Sequence, residues 1–387
     1  MGVPANRPNP GLSWQIVTYL VGDGAPGAAA AAPDGQIVAA SARPGRRSRR
    51  GRYDDGMSEL DCDVLIVGAG PAGLAAAIAA QREGFSHLVL DKGGLVDGVY
   101  RFPRNMVFFT TPELLEIGGL PFVTPFEKPT RMEALRYYRR VADTFKLAVA
   151  FDEDVVGVRR GPAGTSHTFV LDVKARDGGA RTRRARAVVL ATGYYGQPNL
   201  LGVPGEDLPH VSHYYSEPHP YYRRPVVVVG GKNSAAEAAL DLHRAGARVT
   251  LVHREAALGD SIKYWVKPDI ENRIAEGSIP AMFETSVRRI TPGSVRVSGP
   301  AGESEIPADG VFLLTGYHPD WALLERAGVG IDPAGPVARY DPETFETGVP
   351  NLFLAGGVIS GRTAAPVFIE NGRLHGERIA RALRDRW

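Results

Sequence analysis

The sequence predicts an α/β fold in which one parallel-sheet unit occurs twice, and two observations predict it. A β-branched apolar run leading straight into a glycine turn and an Ala-rich helix begins at Asp63, and the same order returns at Pro225. Each copy then continues into a second short apolar strand, His87–Leu90 and Arg248–Val252. Strand, turn, helix and strand in that order build a parallel sheet with a nucleotide crevice at the strand ends. The expectation is two Rossmann-like dinucleotide-binding domains.

In the first copy, Asp63–Val67 reads as a buried strand. Gly68-Ala69-Gly70-Pro71-Ala72-Gly73 follows, then a helix from Leu74 to about Arg82. Gly68 permits the tight turn, Gly70 lets the backbone approach a pyrophosphate, and Gly73 lets helix and strand pack closely. The helix N-terminus faces the phosphates with its partial positive charge. Asp91 ends the second strand, with Lys92 beside it, and its carboxylate suits a ribose diol. As a bare string the turn is only glycine-rich; flanked by both strands and the acid, it reads as a dinucleotide site.

Two later segments point to FAD in this first site. Ala187–Ala191 is an apolar strand ending in Thr192-Gly193, a recurrent FAD-site signature. Thr347–Gly357 forms a strand running into Gly356-Gly357 and resembles the second FAD-contacting segment of two-dinucleotide flavoproteins. Many of those end in Gly-Asp, the Asp holding the ribityl chain. With Gly357 in that place, the contact falls to backbone or another side chain. A final amphipathic helix is expected over about Pro366–Arg384, its N-terminus near the flavin's pyrimidine end.

In the second copy, Pro225–Val229 is the strand and Gly230-Gly231-Lys232-Asn233-Ser234-Ala235 the turn, followed by a helix to about Arg244. Lys232 stands where a second glycine is usual, and its ammonium can contact the pyrophosphate. The second strand ends in His253-Arg254, with no acid to bind a ribose 2′-OH. An Arg there holds a 2′-phosphate through a charge-assisted bond, which predicts NADPH over NADH. Such a bond contributes about 1.5–3 kcal/mol, or one to two decades of affinity. The alternative for Arg254 and His253 is an ordinary surface residue.

Composition limits the remaining classes. Of the net charge of +2, the first 56 residues carry seven Arg and four Asp, leaving the rest at −1 and giving no footprint for nucleic acid. The lone Cys62 excludes an intrachain disulfide or dithiol shuttle and fits a reducing cytoplasm. No apolar run reaches the roughly 18 residues that span a bilayer, and no metal-ligand cluster stands out. Residues 1–56, with runs such as Ala28–Ala32 and Arg46-Arg47-Ser48-Arg49-Arg50, read as a disordered tail or non-native extension, with the start at Met57. A secretory leader fits less well, because only Arg7 precedes the apolar stretch Trp14–Val21. The expected organisation is an FAD domain over 57–220 and 315–387, with an NADPH domain inserted at 221–314. Gly94–Lys128 is expected to flank the flavin, Arg131–Thr144 to be helical, and segments such as Thr168–Lys174 to form a small antiparallel meander.

The connecting segments resemble those of the YpdA-type bacillithiol disulfide reductases, relatives of low-molecular-weight thioredoxin reductase. The resemblance runs from Leu60 to about Ile379. It is carried by Tyr100-Arg101-Phe102-Pro103, Phe108-Phe109, Lys128-Pro129-Thr130-Arg131, Gly193-Tyr194-Tyr195, Pro204–Pro209 and Ser212–Tyr215. Gly230–Ala235, Ser261–Trp265, Thr315–Asp320 and Ile369–Arg373 complete it. It implies a thioredoxin-reductase-like FAD/NADPH flavoprotein in which NADPH reduces FAD and reduced FAD reduces a small thiol disulfide, bacillithiol disulfide. The family pattern carries a redox Cys in the first glycine turn, where this chain has Ala72. Cys62 does not replace it, lying at the far end of the strand, about 20 Å away at roughly 3.3 Å per residue.

Hydride transfer needs geometry rather than a side-chain acid, but a disulfide acceptor needs a proton for its leaving thiolate. His213, Tyr195 and His219 lie in loops flanking the two units and are the candidates, each with a packing or hinge role as the alternative. Arg101 and Lys263 can bind substrate carboxylates or be solvated charges. The competing readings are a flavin monooxygenase, a ferredoxin or flavodoxin reductase, and an NADPH-binding redox sensor. Gly94-Leu95-Val96 lacks the Gly-Gly-x-Trp usual in the oxygenases. A homodimer is the expected assembly.

Overall fold

The computed structural model describes residues 60–164, 168–361 and 367–387; the expected tail over 1–56 lies outside them. The chain opens with β1 (Cys62–Val67), α1 (Pro71–Arg82) and β2 (His87–Leu90). Short helices α2 (Asp97–Tyr100) and α3 (Pro112–Leu115) lead to α4 (Arg131–Phe145). Strands β3 (Val149–Ala150), β4 (Glu153–Arg160), β5 (Phe169–Ala175) and β6 (Ala180–Leu190) complete the first half.

The first sheet has the order β3-β2-β1-β6-β5-β4. β1, β2, β3 and the upper end of β6 run parallel, and β4, β5 and the lower end of β6 form the expected antiparallel meander. β1 is buried because both faces are covered, which is why it reads as unbroken Val, Leu and Ile rather than alternating. Helix α4 is amphipathic and starts with a reciprocal cap: the Glu133 amide donates to Thr130 Oγ1 at 3.2 Å, and the Thr130 amide to Glu133 Oε2 at 2.8 Å.

The second half runs through β7 (Val211–Ser212), β8 (Pro225–Val229), α5 (Asn233–Arg244), β9 (Arg248–Val252), α6 (Lys267–Ala275) and β10 (Ala281–Met282). An antiparallel trio follows, β11 (Ser286–Thr291), β12 (Ser294–Gly299) and β13 (Gly302–Pro307), then β14 (Gly310–Leu313). The second sheet is parallel, with the order β10-β9-β8-β14-β7. It takes in Val211–Ser212, upstream of the expected boundary at Tyr221. Side chains alternate along β8: Val226 and Val228 pack with Leu240 and Leu242 of α5, whereas Val227 and Val229 pack with Val295 and Val297 of the trio.

The chain ends with α7 (Trp321–Arg326), β15 (Leu352–Leu354), a single 3-10 turn over Gly356–Ile359, α8 (Ile369–Gly372) and α9 (His375–Arg384). β15 returns to the first sheet and pairs parallel with β6. The expected single closing helix is therefore two helices, and its expected start at Pro366 lies outside the described residues. The break comes after Gly372, where a Cβ would press to 3.0 Å from the Gly356 Cα. α9 lies on α1, with Gly376 against the backbone of Ala76.

Candidate functional site: two glycine turns

At the first turn, Gly68 has φ +109°, and a Cβ there would overlap the Ala191 carbonyl oxygen. A Cβ at Gly73 would overlap the Gly68 carbonyl oxygen. Both glycines are thus required by packing among β1, β6 and α1. Gly70 differs: a Cβ there meets nothing within 4 Å, so the space ahead of the α1 N-terminus is open. Pro71 occupies N1, where no hydrogen-bond donor is lost, and no side chain caps the helix. Helix α4 is capped by Thr130 and α7 by Asp320, but α1 leaves its first amides to whatever fills that open space.

Asp91 does more than expected. Its Oδ2 accepts from the Ala69 amide at 2.6 Å and its Oδ1 from the Gly93 amide at 2.8 Å, so it first holds the glycine turn to β2. Burial pushes its carboxyl above the ordinary range, while the two amides oppose that shift. Each oxygen keeps a lone pair for a ribose hydroxyl. Lys92 is exposed, its ammonium near Gly196. The Thr192 amide lies against Gly68, and Gly193 follows with φ +64°.

The later glycines converge on the same place. A Cβ at Gly356 would lie 2.5 Å from the Ala72 Cβ, and one at Gly357 would lie 2.8 Å from the Tyr194 ring. The half-buried Ala72 therefore meets the segment that follows β15. His375, which sequence reasoning missed, fixes that segment by accepting the Gly356 amide at Nδ1, 3.1 Å away. It is buried and stacks on Phe345 with ring centroids 4.0 Å apart. No glycine-type signal marks it; it comes from a helix 19 residues downstream.

The second turn repeats the design with different contacts. Gly230 has φ +145°, and a Cβ would lie 2.5 Å from the Leu314 carbonyl oxygen and 3.0 Å from Ala235. A Cβ at Gly231 would overlap the His253 ring, so His253 packs under the turn, and burial lowers its basicity. Lys232 is exposed at the N-cap of α5, which also lacks a side-chain cap, and Ser234 is exposed beside it. Asn233 faces a neighbouring loop instead: its amide nitrogen donates to the Ser261 carbonyl at 2.9 Å, and its Oδ1 accepts from the Lys263 amide at 2.9 Å. Arg254 is 80% exposed and pairs with Glu255 at 3.1 Å. Glu237, another residue not foreseen, sits half-buried on α5. Burial pushes its carboxyl up to about 7, opposed by Lys263.

Of the proton-donor candidates, Tyr195 and His213 are linked through Tyr317, and His219 stands apart. Tyr195 packs tilted on Tyr317 and edge-on to Tyr214 and Phe102, with centroids 4.3, 5.3 and 5.1 Å away, and burial keeps its hydroxyl protonated. The His213 carbonyl accepts from the Tyr317 hydroxyl at 2.7 Å, its Nε2 lies 3.4 Å from Glu206, and its buried Nδ1 has no partner. His219 is exposed on a 3-10 turn, and Arg101 is tied to Asp97 at 2.7 Å. Cys62 begins β1 at the end away from the turn; burial, then Asp61 and Asp63, pushes its thiol up to about 12. Among the described residues there is no cluster fit for a metal and no helix long and apolar enough to cross a membrane.

The chain matches the pyridine nucleotide-disulphide oxidoreductase family over residues 65–356. It is 42% identical over 320 residues to bacilliredoxin reductase Bdr of Bacillus subtilis, spanning 82% of this chain and 96% of that protein. The structure superposes on bacillithiol disulfide reductase Bdr (YpdA) from Bacillus cereus with a TM-score of 0.81 at 41% identity, covering 84% of this chain and 99% of that one. A thioredoxin reductase from T. acidophilum shares the fold at a TM-score of 0.63 and 24% identity, covering 85% and 99%. The open, uncapped helix starts at both turns fit the two coenzymes of such flavoproteins, FAD and NADPH. The chain belongs to the pyridine nucleotide-disulphide oxidoreductase family, in its Bdr (YpdA) branch.

Proposed function

We propose that this protein reduces a low-molecular-weight disulfide of the bacillithiol type at the expense of NADPH, one disulfide, one NADPH and one proton giving two thiols and NADP⁺. The observation that carries the reading is the pair of uncapped glycine turns in a chain 42% identical to a bacilliredoxin reductase. FAD, when bound, supplies the two-electron relay between nicotinamide and disulfide.

The chain's residues do the rest. We assign the FAD pyrophosphate to Gly68, Gly70, Pro71, Ala72 and Gly73, and the adenosine ribose to Asp91 with Lys92 beside it. Thr192, Gly193, Gly356 and Gly357 present backbone to the flavin side. We assign NADPH to Gly230, Gly231, Lys232, Asn233, Ser234 and Ala235, with Arg254 toward the 2′-phosphate and His253 supporting the turn from beneath. Thus 57–220 with 315–387 serves FAD, and 221–314 serves NADPH. Tyr195 and His213 are the proposed proton donors, one hydroxyl kept protonated by burial and one imidazole beside Glu206. We place the reaction in the cytoplasm, on the lone Cys62.

The test is stopped-flow mixing of the purified yellow protein with NADPH, followed by bacillithiol disulfide. Thiol release in the stoichiometry above supports the reading. Oxygen uptake with a hydroxylated product makes the protein a monooxygenase, and reduction of ferredoxin makes it an electron-transfer reductase. Flavin reduction with no acceptor turned over leaves only a sensor.

A further inference from the structure

We propose that Phe109, Lys128, Lys263 and Trp265 form a docking site for a disulfide that carries carboxylates, which sets the substrate class of the reductase proposed above and rests on that reading. Phe109 and Lys128 come from the segments between α2 and α4, while Lys263 and Trp265 come from the loop between β9 and α6. The four meet at the surface. The Phe109 and Trp265 rings pack edge to face, 5.7 Å apart. Lys128 Nζ lies 4.9 Å from the Trp265 centroid, and Lys263 Nζ lies 5.3 Å from Phe109 and 6.0 Å from Trp265.

Two features set this cluster apart from ordinary surface. Phe109 and Trp265 remain 36% and 44% exposed, and Tyr264 beside them 83%, a contiguous aromatic surface of the kind that marks binding sites. Both lysines are half-buried, and among the described residues neither forms a salt bridge, although neighbouring Lys267 pairs with Asp260 and Arg244 with Asp269. Glu127, next to Lys128, lines a separate groove with Glu113 and Glu116. Lys128 lies over the Trp265 ring with no salt bridge, and Lys263, which acts on the Glu237 charge without pairing to it, lies over Phe109, so both ammonium groups keep donors for an anionic ligand.

The cluster is also tied to both turns. The Gly259 amide donates to the Gly231 carbonyl at 2.8 Å, and Asn233 grips Ser261 and the Lys263 amide, so the loop bearing Trp265 is fastened to the second turn. On the other side, Phe108 packs edge-on to Phe102, which packs on Tyr195 beside the Tyr194 ring that covers Gly357. A ligand seated on Trp265 thus rests on segments that are linked by contacts to both nucleotide turns.

The test compares 3,3′-dithiodipropionate, a dicarboxylate, with the neutral bis(2-hydroxyethyl) disulfide as substrates for the holoenzyme and for Lys128→Ala, Lys263→Ala and the double variant. The preference in kcat/KM for the dicarboxylate is expected to fall about two- to fivefold per lysine, as loss of a partly screened charge pair predicts. An unchanged preference in the double variant overturns the proposal. So does a Lys263 effect confined to the KM for NADPH, which would give that lysine to the coenzyme. A separate titration of oxidised enzyme with dithiodipropionate, without NADPH, follows the fluorescence of Trp265 against Trp265→Phe. If neither disulfide is turned over, the reductase reading fails, and the titration still judges the site: lysine-dependent, saturable quenching upholds it, and no quenching removes it.

Discussion

The Gly356 amide donates to Nδ1 of His375, and this one bond joins the glycine segment after β15 to the first turn of α9. Because Nδ1 accepts, the imidazole proton resides on Nε2 and the ring is neutral. Protonating Nδ1 would break the bond and place a cation beside Arg378. Burial, then Arg378, accordingly lowers the His375 pKa to about 4 from an ordinary 6.5.

Below 6.5 the unfolded chain binds a proton that the folded chain refuses, so stability falls with falling pH. The contribution is fully present above 6.5 and is lost progressively down to about pH 4, to a maximum of about 3 kcal/mol at 1.36 kcal/mol per unit. Melting temperature against pH should therefore drop more steeply between pH 6.5 and 4 in the wild type than in His375→Asn, which keeps an acceptor without the titration. Parallel slopes for the two proteins would contradict this.

Glycines in the first turn should separate into two kinds. Gly73→Ala drives a Cβ into the Gly68 carbonyl and should fail to fold or melt far below the wild type. Gly70→Ala meets no protein atom within 4 Å and should fold with a near-native circular dichroism spectrum. It should nonetheless lose most of its flavin, because the methyl group enters the space where the pyrophosphate is assigned. A Gly70→Ala protein that is fully yellow after dialysis would move the pyrophosphate elsewhere.

Much of the fold was legible because buried parallel strands advertise themselves. β2, β8 and β9 fall where the β-branched runs end, with Gly68 and Gly230 marking the turns. What escaped depends on contacts between distant segments. The closing helix is divided at Arg373 and Leu374, next to the close approach of Gly372 to Gly356, whereas Pro366–Arg384 read alone is simply amphipathic. Helix α1 starts earlier than Leu74, at Pro71, since proline at N1 costs no donor. In the site, the glycines could be read from spacing. His375, Glu237 and the bridge from Asn233 to Lys263 could not, because nothing in their local sequence signals the partner.

Arg254 sets the expected coenzyme preference. Its side chain is mostly in solvent and, among the described residues, pairs with Glu255 at 3.1 Å, an exposed contact that a 2′-phosphate can displace. Arg254→Gln should lower kcat/KM for NADPH by about one decade or more, leaving that for NADH within about twofold. Equal losses with both coenzymes would show that Arg254 does not read the 2′-phosphate. Glu255→Gln should shift preference the other way, by removing the competing carboxylate.

Ala72 sits at the second position of α1, against Gly356, where the family pattern places a cysteine. The only native thiol, Cys62, is buried, donates to the Val64 carbonyl at 3.3 Å, and has its pKa pushed up to about 12. At neutral pH it holds almost no thiolate, the reactive form. Iodoacetamide should therefore leave disulfide reduction by the wild type unaffected, whether or not NADPH is present. A thiol at position 72, by contrast, stands at an uncapped helix N-terminus, which stabilises a thiolate. Ala72→Cys should become sensitive to iodoacetamide once reduced by NADPH and show a long-wavelength thiolate-to-flavin absorbance. If the wild type is inactivated by the reagent in step with modification of Cys62, electrons pass through that thiol, and the placement of the redox centre beside Ala72 and Gly356 is wrong.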